Sequence, residues 1–493
     1  MKHIQIISTL ILGVILSASS CSETATNISE SISSIVDEVF EESYDNYLYP
    51  IVDADGKYGC INIKGEIIIP PQYEGVWEFN DNGFAEFKKN GKYGFLNLKG
   101  EVVVEPIYDF FTTYISEYEI FKIQQNEKYG ILDKNGKMIV PPIYDIIYFE
   151  YGIIVKRNNK YGIIDSKGNE IVPMQYDYIS RDIGDDLIAV EKNGKYGYID
   201  IKGNVVIPCQ FEDCSSFSEG LAPVCIGEHW GYINKKGIFE IAPSFENCET
   251  NRWFTNCHYP DKFHDGMAAI RLGSCISNQW PIYIKRDEPK YIDKSGNYIT
   301  DIEFKCGSDF VDGYAIVGVD NRDKVNGYIW AEMDKKGNLN YQKFAGIEYI
   351  EIHFGSKQDD KIIKFSKNGK VGLMKRNGKI VIDAQYDHIG GFYDDIAVTI
   401  NDEKEGLIDS KGNVIVAPQF DDINSFHDGL AVIKINELYG FINTKGKIVI
   451  NPIYKHAKKF CHGLALVEID DNIVGYINKK GEIIYKMQIS YNN

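Results

Sequence analysis

The chain has 493 residues, 44% of them hydrophobic and 25% charged, with 45 Gly but only 15 Pro. That composition supports a buried core and excludes disordered and collagen-like chains. Against 53 Lys and Arg stand 71 Asp and Glu, a net charge of −18, so no summed positive field exists to bind nucleic acid or anionic lipid by counterion release. The 34 Tyr far outnumber the 5 Trp, and that bias favours strands over helices.

Residues 1–20 combine a cationic start (Lys2, His3), an apolar run from Ile4 to Leu16 and a small-residue tail before Cys21. This is a secretory signal, too short in its apolar part to remain as a membrane span. The tail and Cys21 resemble the lipobox of bacterial lipoproteins, in which the Cys is lipidated and becomes the new N-terminus. Ala18 stands where that pattern usually has Leu, and ordinary cleavage after Ser20 is the alternative. No later segment reaches the ~18 uninterrupted apolar residues of a spanning helix, so membrane attachment is expected through lipid alone. Ser22 lacks the acidic character that favours inner-membrane retention, which points to an outer-membrane or surface address. Residues 22–46 are polar and acidic, with Ile28, Ile32, Ile35, Val36, Val39 and Phe40 at helical spacing. They read either as a tether with one short amphipathic helix or as a disordered stalk.

From residue 50 onward one phrase recurs: an aromatic and Gly, an apolar pair, Asn or Asp, a second Gly and another apolar run. Its first glycine is Gly59, Gly94, Gly130, Gly162, Gly197, Gly231, Gly327, Gly372, Gly406, Gly440 or Gly475, with Lys290 in that place in one degenerate copy. Twelve copies result. A second glycine follows six residues later, except that Gly337 is displaced by four, and Asx-x-x-Gly fits a turn that the Asx side chain caps and the Gly completes with positive φ. Each copy therefore opens with a β-hairpin. Eight residues further on, usually after Pro, stands an aromatic such as Tyr73, Tyr144 or Phe420, with an acidic residue commonly next. The Pro is expected to end strand pairing. A third strand follows, as in Gly429-Leu430-Ala431-Val432-Ile433, whose small Ala lets a neighbouring layer approach.

The pattern resembles the WG-repeat family, named for its Trp-Gly pair. The pair survives literally as Trp230-Gly231, with Tyr58-Gly59, Tyr93-Gly94, Tyr129-Gly130, Tyr161-Gly162, Tyr196-Gly197 and Tyr439-Gly440 as variants. What the resemblance implies is an all-β repeat module of bacteria, often exported, with no shared activity or catalytic residues.

The expected organisation is a signal peptide at 1–20, a lipidated Cys and tether with a short helix at 21–46, repeats one to six at 47–248, a Cys- and Trp-rich insertion at 249–289, and repeats seven to twelve at 290–490. The expected fold class is all-β, a tandem array of about twelve ~35-residue three-stranded repeats stacked as an open, twisted, solenoid-like array. The alternative is a pair of six-unit propellers, favoured by the even split at the insertion. Cys214 and Cys248 hold equivalent places in consecutive copies, so close stacking would bring them within the ~4.4–6.8 Å of a disulfide.

The insertion contributes Trp253, Phe254, His258, Tyr259 and Trp280, the candidate binding residues, because repeat arrays bind through insertions on one face. Loops pinned by disulfides, their aromatics tucked against the array, are the plainer reading. Cys257-His258 with His264 and Cys275 lacks the paired short intervals of zinc motifs. No phosphate-binding Gly-rich loop, His-Glu-x-x-His helix or Gly-x-Ser-x-Gly elbow appears. Acidic pairs such as Asp185-Asp186, Asp359-Asp360, Asp394-Asp395 and Asp421-Asp422 fall outside any calcium loop pattern. The expectation is therefore a lipid-anchored envelope protein, not an enzyme, with no cofactor, no metal and no nucleic acid, acting as a scaffold for a protein partner. Glycan binding through exposed Tyr and Trp is the alternative, and a hydrolase is a third reading.

Overall fold

The computed structural model describes residues 44–246, 260–272, 288–320, 328–351 and 362–488. The signal segment and Cys21 lie outside them. Apart from one 3-10 turn at Gln342–Phe344, the regular structure among the described residues is antiparallel β. The chain forms two compact units, one of residues 108–423, the other joining residues up to 107 to those from 424 onward.

The first sheet pairs β1 (Leu48–Val52), β2 (Tyr58–Asn62) and β3 (Ile67–Tyr73) in that order. The second runs β4 (Gly75–Val76), β5 (Phe84–Lys89), β6 (Lys92–Asn97) and β7 (Val102–Tyr108), and its four-stranded plan recurs in ten of the twelve sheets. The expectation of three strands per unit is thus corrected to four. The fourth is the innermost strand, often only two residues long, which follows the aromatic and its acidic neighbour and carries too short a pattern to be seen. These sheets are β-propeller blades rather than solenoid turns. The open array is corrected at its ends as well: β1 packs on the twelfth sheet through Tyr49, Ile51, Leu464, Tyr476 and Met487, where an open array leaves its first and last units uncovered. The propeller alternative is borne out in its blades but not in its division into two rings of six, since the first sheet packs on the twelfth and not on the sixth.

The glycine of the Tyr-Gly pair has a specific cause. A Cβ at Gly197 would stand 2.5 Å from the Ile207 carbonyl oxygen and 2.7 Å from the Cys209 nitrogen, and one at Gly440 would stand 2.5 Å from the Ile450 oxygen. These are backbone atoms of the outermost strand, which bulges at this point: Tyr439 pairs Tyr454 and Phe441 pairs Ile450, with a register shift between. Two copies lack the glycine. Where Lys290 replaces it, the seventh sheet has two strands and the third is reduced to one bridge, Ile292 to Tyr298. In the eighth copy the pairing sets Trp330-Ala331 in the Tyr-Gly place, six residues before Gly337, so Gly337 is in register and Gly327 is not the equivalent position; the outermost strand there shrinks to Leu339–Asn340. The Pro residues do not end pairing. Strands such as Val205–Phe211 run through Pro208 to the aromatic, Phe211, which pairs Tyr196; the outer edge needs no donor from Pro.

The Asx-x-x-Gly turns form as expected. Asn62 Oδ1 accepts the backbone N–H groups of Lys64 and Glu66, both at 3.0 Å, and Gly65 has φ of 81°. Within each unit, consecutive sheets share cores. Tyr198 meets Phe217 at 4.8 Å between ring centroids, Tyr232 meets Phe263 at 5.0 Å and Phe441 meets Phe460 at 4.7 Å, each against a fully buried or nearly buried Ala such as Ala222, Ala268 or Ala465. Ala at that place leaves room for the ring.

Candidate functional site

Of the residues singled out from sequence, Trp253, Phe254, His258, Tyr259 and Trp280 lie outside the described residues, as do Cys21 and Cys248. Cys214 is described; its thiol is joined by no disulfide to a described residue, and burial pushes its pKa up to about 12. The proposed pairing of Cys214 with Cys248 therefore falls outside what is described. Asp359-Asp360 does too.

The acidic residues of the repeat have structural work. The one after the aromatic caps the neighbouring hairpin: Asp177 Oδ2 accepts the Asn193 N–H at 2.7 Å and Asp387 Oδ2 that of Asp402 at 2.8 Å. A lysine pairs with each, Lys160 with Asp177 and Lys370 with Asp387, and these lysine hydrogen bonds hold both carboxyls below the usual carboxylate range. Asp185-Asp186 and Asp394-Asp395 are turn residues with positive φ throughout, a conformation that Asp tolerates. A second set links copies. Asp185 Oδ2 accepts the Gly220 N–H at 2.6 Å, Glu219 Oε2 that of Gly266 at 2.9 Å, and Asp428 Oδ2 that of Gly463 at 2.7 Å. Lys294 and Lys335, just after the turn Asx, reach Glu219 and Asp265 respectively.

In the twelfth copy that turn reads Cys461-His462-Gly463 instead of ending in Asp-Gly. Cys461 Sγ lies 3.2 Å from His462 Nδ1, His462 Nε2 lies 3.3 Å from Asp81 Oδ1, and the imidazole stacks on Tyr47 at 3.7 Å. Thiol, imidazole and carboxylate stand in the order of an activated nucleophile. The electrostatics oppose that use: burial, then Glu78 and Asp428, push the thiol up to about 11, so it is protonated near neutrality and a poor nucleophile. The cluster instead fastens the start of the described chain, since Tyr44 also donates to Asp428 Oδ1 at 3.4 Å. Sequence reading missed it; the signal was His462 before Gly463 where the seventh, eighth and eleventh copies have Asp265, Asp312 and Asp428 and the sixth has Glu219. Beside it lies a cavity of about 560 Å³ lined by β1, Val76 to Phe79, Lys458, Lys459, Cys461, His462, Leu466 and Tyr476.

The Tyr-Gly tyrosines do not form a bare aromatic row. Lys88, Lys122, Lys156 and Lys434 sit over the rings of Tyr93, Tyr129, Tyr161 and Tyr439 at 4.5–5.7 Å from their centroids. What the surface does repeat is apolar edge. The outermost strands expose Ile67, Met138, Ile171, Val205, Val414 and Val449, with Val205 58% and Val414 54% accessible. Strands Met138–Tyr144, Val205–Phe211, Val414–Phe420 and Ile448–Tyr454 contain no charged residue. Sheet edges are ordinarily guarded with charge or Pro; in these four strands Pro stands only from the fourth residue onward, and the first three residues, as in Val205-Val206-Ile207, carry no guard.

This is thus a blade-built, all-β repeat protein whose polar residues serve its turns and whose edges are apolar. The model of the WG containing repeat matches residues 58–93, 93–129, 129–161, 161–196, 196–228, 291–322, 372–404, 406–439 and 439–472, more than half of the chain, and the chain belongs to that family. No curated protein matches it. Among solved structures, a eukaryotic initiation factor is similar at a TM-score of 0.32 and 10% identity, covering 75% of this chain and 96% of that one. BamB from Moraxella catarrhalis is similar at 0.29 and 11%, covering 61% and 94%. PorZ, described as a bacterial surface component of the type-IX secretion system of Porphyromonas gingivalis, is similar at 0.19 and 9%, covering 90% and 74%. At such scores none of these carries an argument.

Proposed function

We propose that this protein is exported, anchored through lipid on Cys21 at the outer membrane or cell surface, and acts without catalysis as a scaffold that binds a protein partner along its outer sheet edges. The observation that carries the reading is the exposure of uncharged, β-branched outermost strands in copy after copy. Such an edge offers unpaired backbone N–H and C=O groups together with apolar side chains, which is what a partner's extended segment pairs with. The signal segment with its lipobox-like end supports export and anchoring. The structural employment of the repeated carboxylates supports a binding role over a hydrolytic one. The glycan alternative loses four of its candidate platforms to lysines and rests on Tyr58, Tyr196, Trp253 and Trp280.

Affinity capture from envelope extracts tests the reading. The wild-type chain is expected to retain a discrete protein that Ile171→Lys/Val205→Lys retains at least tenfold less; equal retention, or none, contradicts the scaffold. Cys21→Ala is expected to move the protein from the membrane to the soluble fraction, and unchanged sedimentation contradicts the anchor.

A further inference from the structure

The first sheet has three strands where ten sheets have four: among the described residues no innermost strand lies on β1. The inner edge of β1 shows what is missing. In the other copies, the residue after the innermost strand donates its N–H to the strand beside it: Trp77 to Glu86, Ser215 to Pro223, Ser308 to Ile316 and Lys458 to Leu466, at 2.8–3.0 Å. The equivalent acceptor in the first sheet is the Pro50 carbonyl, which takes a side chain instead, the Tyr476 hydroxyl at 2.8 Å. Two residues along, the Val52 N–H meets Met487 Sδ at 3.4 Å. Tyr476 is out of step with its counterparts, because Tyr198, Tyr232 and Tyr291 donate to the carbonyls of Ser215, Asp261 and Ser308, on the inner segment of the next copy. Side chains thus stand in for a backbone, and the cavity of about 560 Å³ lies against the same edge.

The described residues begin beside this edge, at Tyr44. Tyr47 N–H donates to the Tyr44 carbonyl at 2.9 Å just before β1, as Gly83 donates to Asn80 at 2.8 Å just before β5. The two turns are therefore equivalent, and Phe40 stands as far before Leu48 as Val76 stands before Phe84. The innermost strands carry an acidic residue, any residue, then a buried apolar one, as in Glu74-Gly75-Val76, Asp145-Ile146-Ile147, Asp177-Tyr178-Ile179 and Asp387-His388-Ile389. Glu38-Val39-Phe40 has that form.

We infer that residues 38–41, Glu38-Val39-Phe40-Glu41, are the occupant of this strand-addition site, with Phe40 opposite Ile51 as Val76 is opposite Phe87 and its ring in the cavity. The Glu41 N–H then takes the Pro50 carbonyl, and Tyr476 moves to the Glu41 carbonyl, in step with Tyr198, Tyr232 and Tyr291. Main-chain pairing gives the affinity and the apolar pocket the selectivity, as in other strand additions, and tethering through residues 42–47 gives this segment an effective concentration that a free peptide lacks. The N-terminal segment thereby holds directly the sheet that meets the twelfth copy. The inference is independent of the lipid and of the proposed partner.

Two measurements on the full-length protein test it. In hydrogen exchange, amides 39–41 are expected to exchange at least tenfold more slowly than an unstructured peptide, and Phe40→Asp is expected to abolish that protection. In the double variant Phe40→Cys/Ile51→Cys, mild oxidation is expected to give a 40–51 disulfide, while Ile35→Cys/Ile51→Cys gives none. Exchange of 39–41 at the unstructured rate, or oxidation no more selective than in the control pair, overturns the inference. Saturable binding of a synthetic Val36–Ser43 peptide by the wild-type chain would overturn it too, since the site would then be empty and open to strands supplied from outside.

Discussion

Replacing Gly440 with Ala adds one methyl group where the outermost strand of the eleventh sheet passes. The new Cβ would stand 2.5 Å from the Ile450 oxygen, 2.6 Å from the Pro452 nitrogen and 2.8 Å from the Asn451 carbonyl carbon. All three are backbone atoms, so no rotamer change relieves the clash and the strand must move away. Separation forfeits the pairing of Tyr439 with Tyr454 and of Phe441 with Ile450, about two hydrogen bonds at ~1 kcal/mol each. It also exposes part of Ile450, now 5% accessible, for a further ~1–2 kcal/mol. Reduced freedom of the unfolded chain returns ~0.4–1 kcal/mol, leaving a net loss of about 3 kcal/mol. A repeat protein need not unfold in one step, so the readout is local: amides of residues 448–454 followed by hydrogen exchange, where that loss lowers protection about a hundredfold. Gly91→Ala is the control. Nothing lies within 4 Å of its Cβ and only its φ of 73° opposes Ala, which costs ~1–2 kcal/mol. Protection of 448–454 in Gly440→Ala equal to that in the wild type would refute the account of why the repeat needs this glycine.

Asp165, Asp200 and Asp409 each accept a hydrogen bond from the side-chain amide of an Asn four residues on, which holds their carboxyls below the usual range. A depressed carboxyl contributes stability that is complete above its unfolded pKa of ~4 and is lost as pH falls through the folded value. The melting temperature should therefore drop below about pH 4, and drop less in Asp165→Asn/Asp200→Asn/Asp409→Asn; superimposable acid limbs would contradict this. Cys461, with a pKa of about 11, should react with iodoacetamide at pH 8 at least tenfold more slowly than a free cysteine, and complete labelling within minutes would place an activated thiol there. Asp428→Ala removes the acceptor of the Gly463 N–H and should cost ~1–3 kcal/mol, read as a lower melting temperature, whereas no change would show that the acidic ladder between copies is idle.

What the sequence made legible was whatever repeats. The two glycines, the Asx of the turn, the aromatic and the acidic residue after it recur at fixed spacing because each meets a backbone constraint that every copy shares. The innermost strands escaped notice because two residues such as Gly75–Val76 or Asp422–Ile423 hold no period. Trp330-Ala331 escaped because Ala does not look like the glycine it replaces; only the loss of the outer pairing at Trp330, where the ladder stops at Glu332, shows what its methyl group costs. Cys461-His462 was visible as residues, but its chemistry depends on Asp81 and Tyr47, more than 380 and 410 positions away in the chain. The apolar outer edge was present in runs such as Val205-Val206-Ile207, yet which of these residues face solvent follows from the four-strand order: Ile207 is buried while Val205 and Val206 are exposed.

The central claim, that the outer edges of the blades are where a partner is held, is tested most directly by photo-cross-linking in the living cell. A photoreactive residue is placed singly at Ile171, Val205 or Val414 on the outermost strands, and at Lys167, Lys202 or Lys411 in the adjoining turns. The edge positions are expected to give one discrete adduct with another protein, and the turn positions at least tenfold less. Adducts of equal yield from the turns, or none from the edges, would contradict the account.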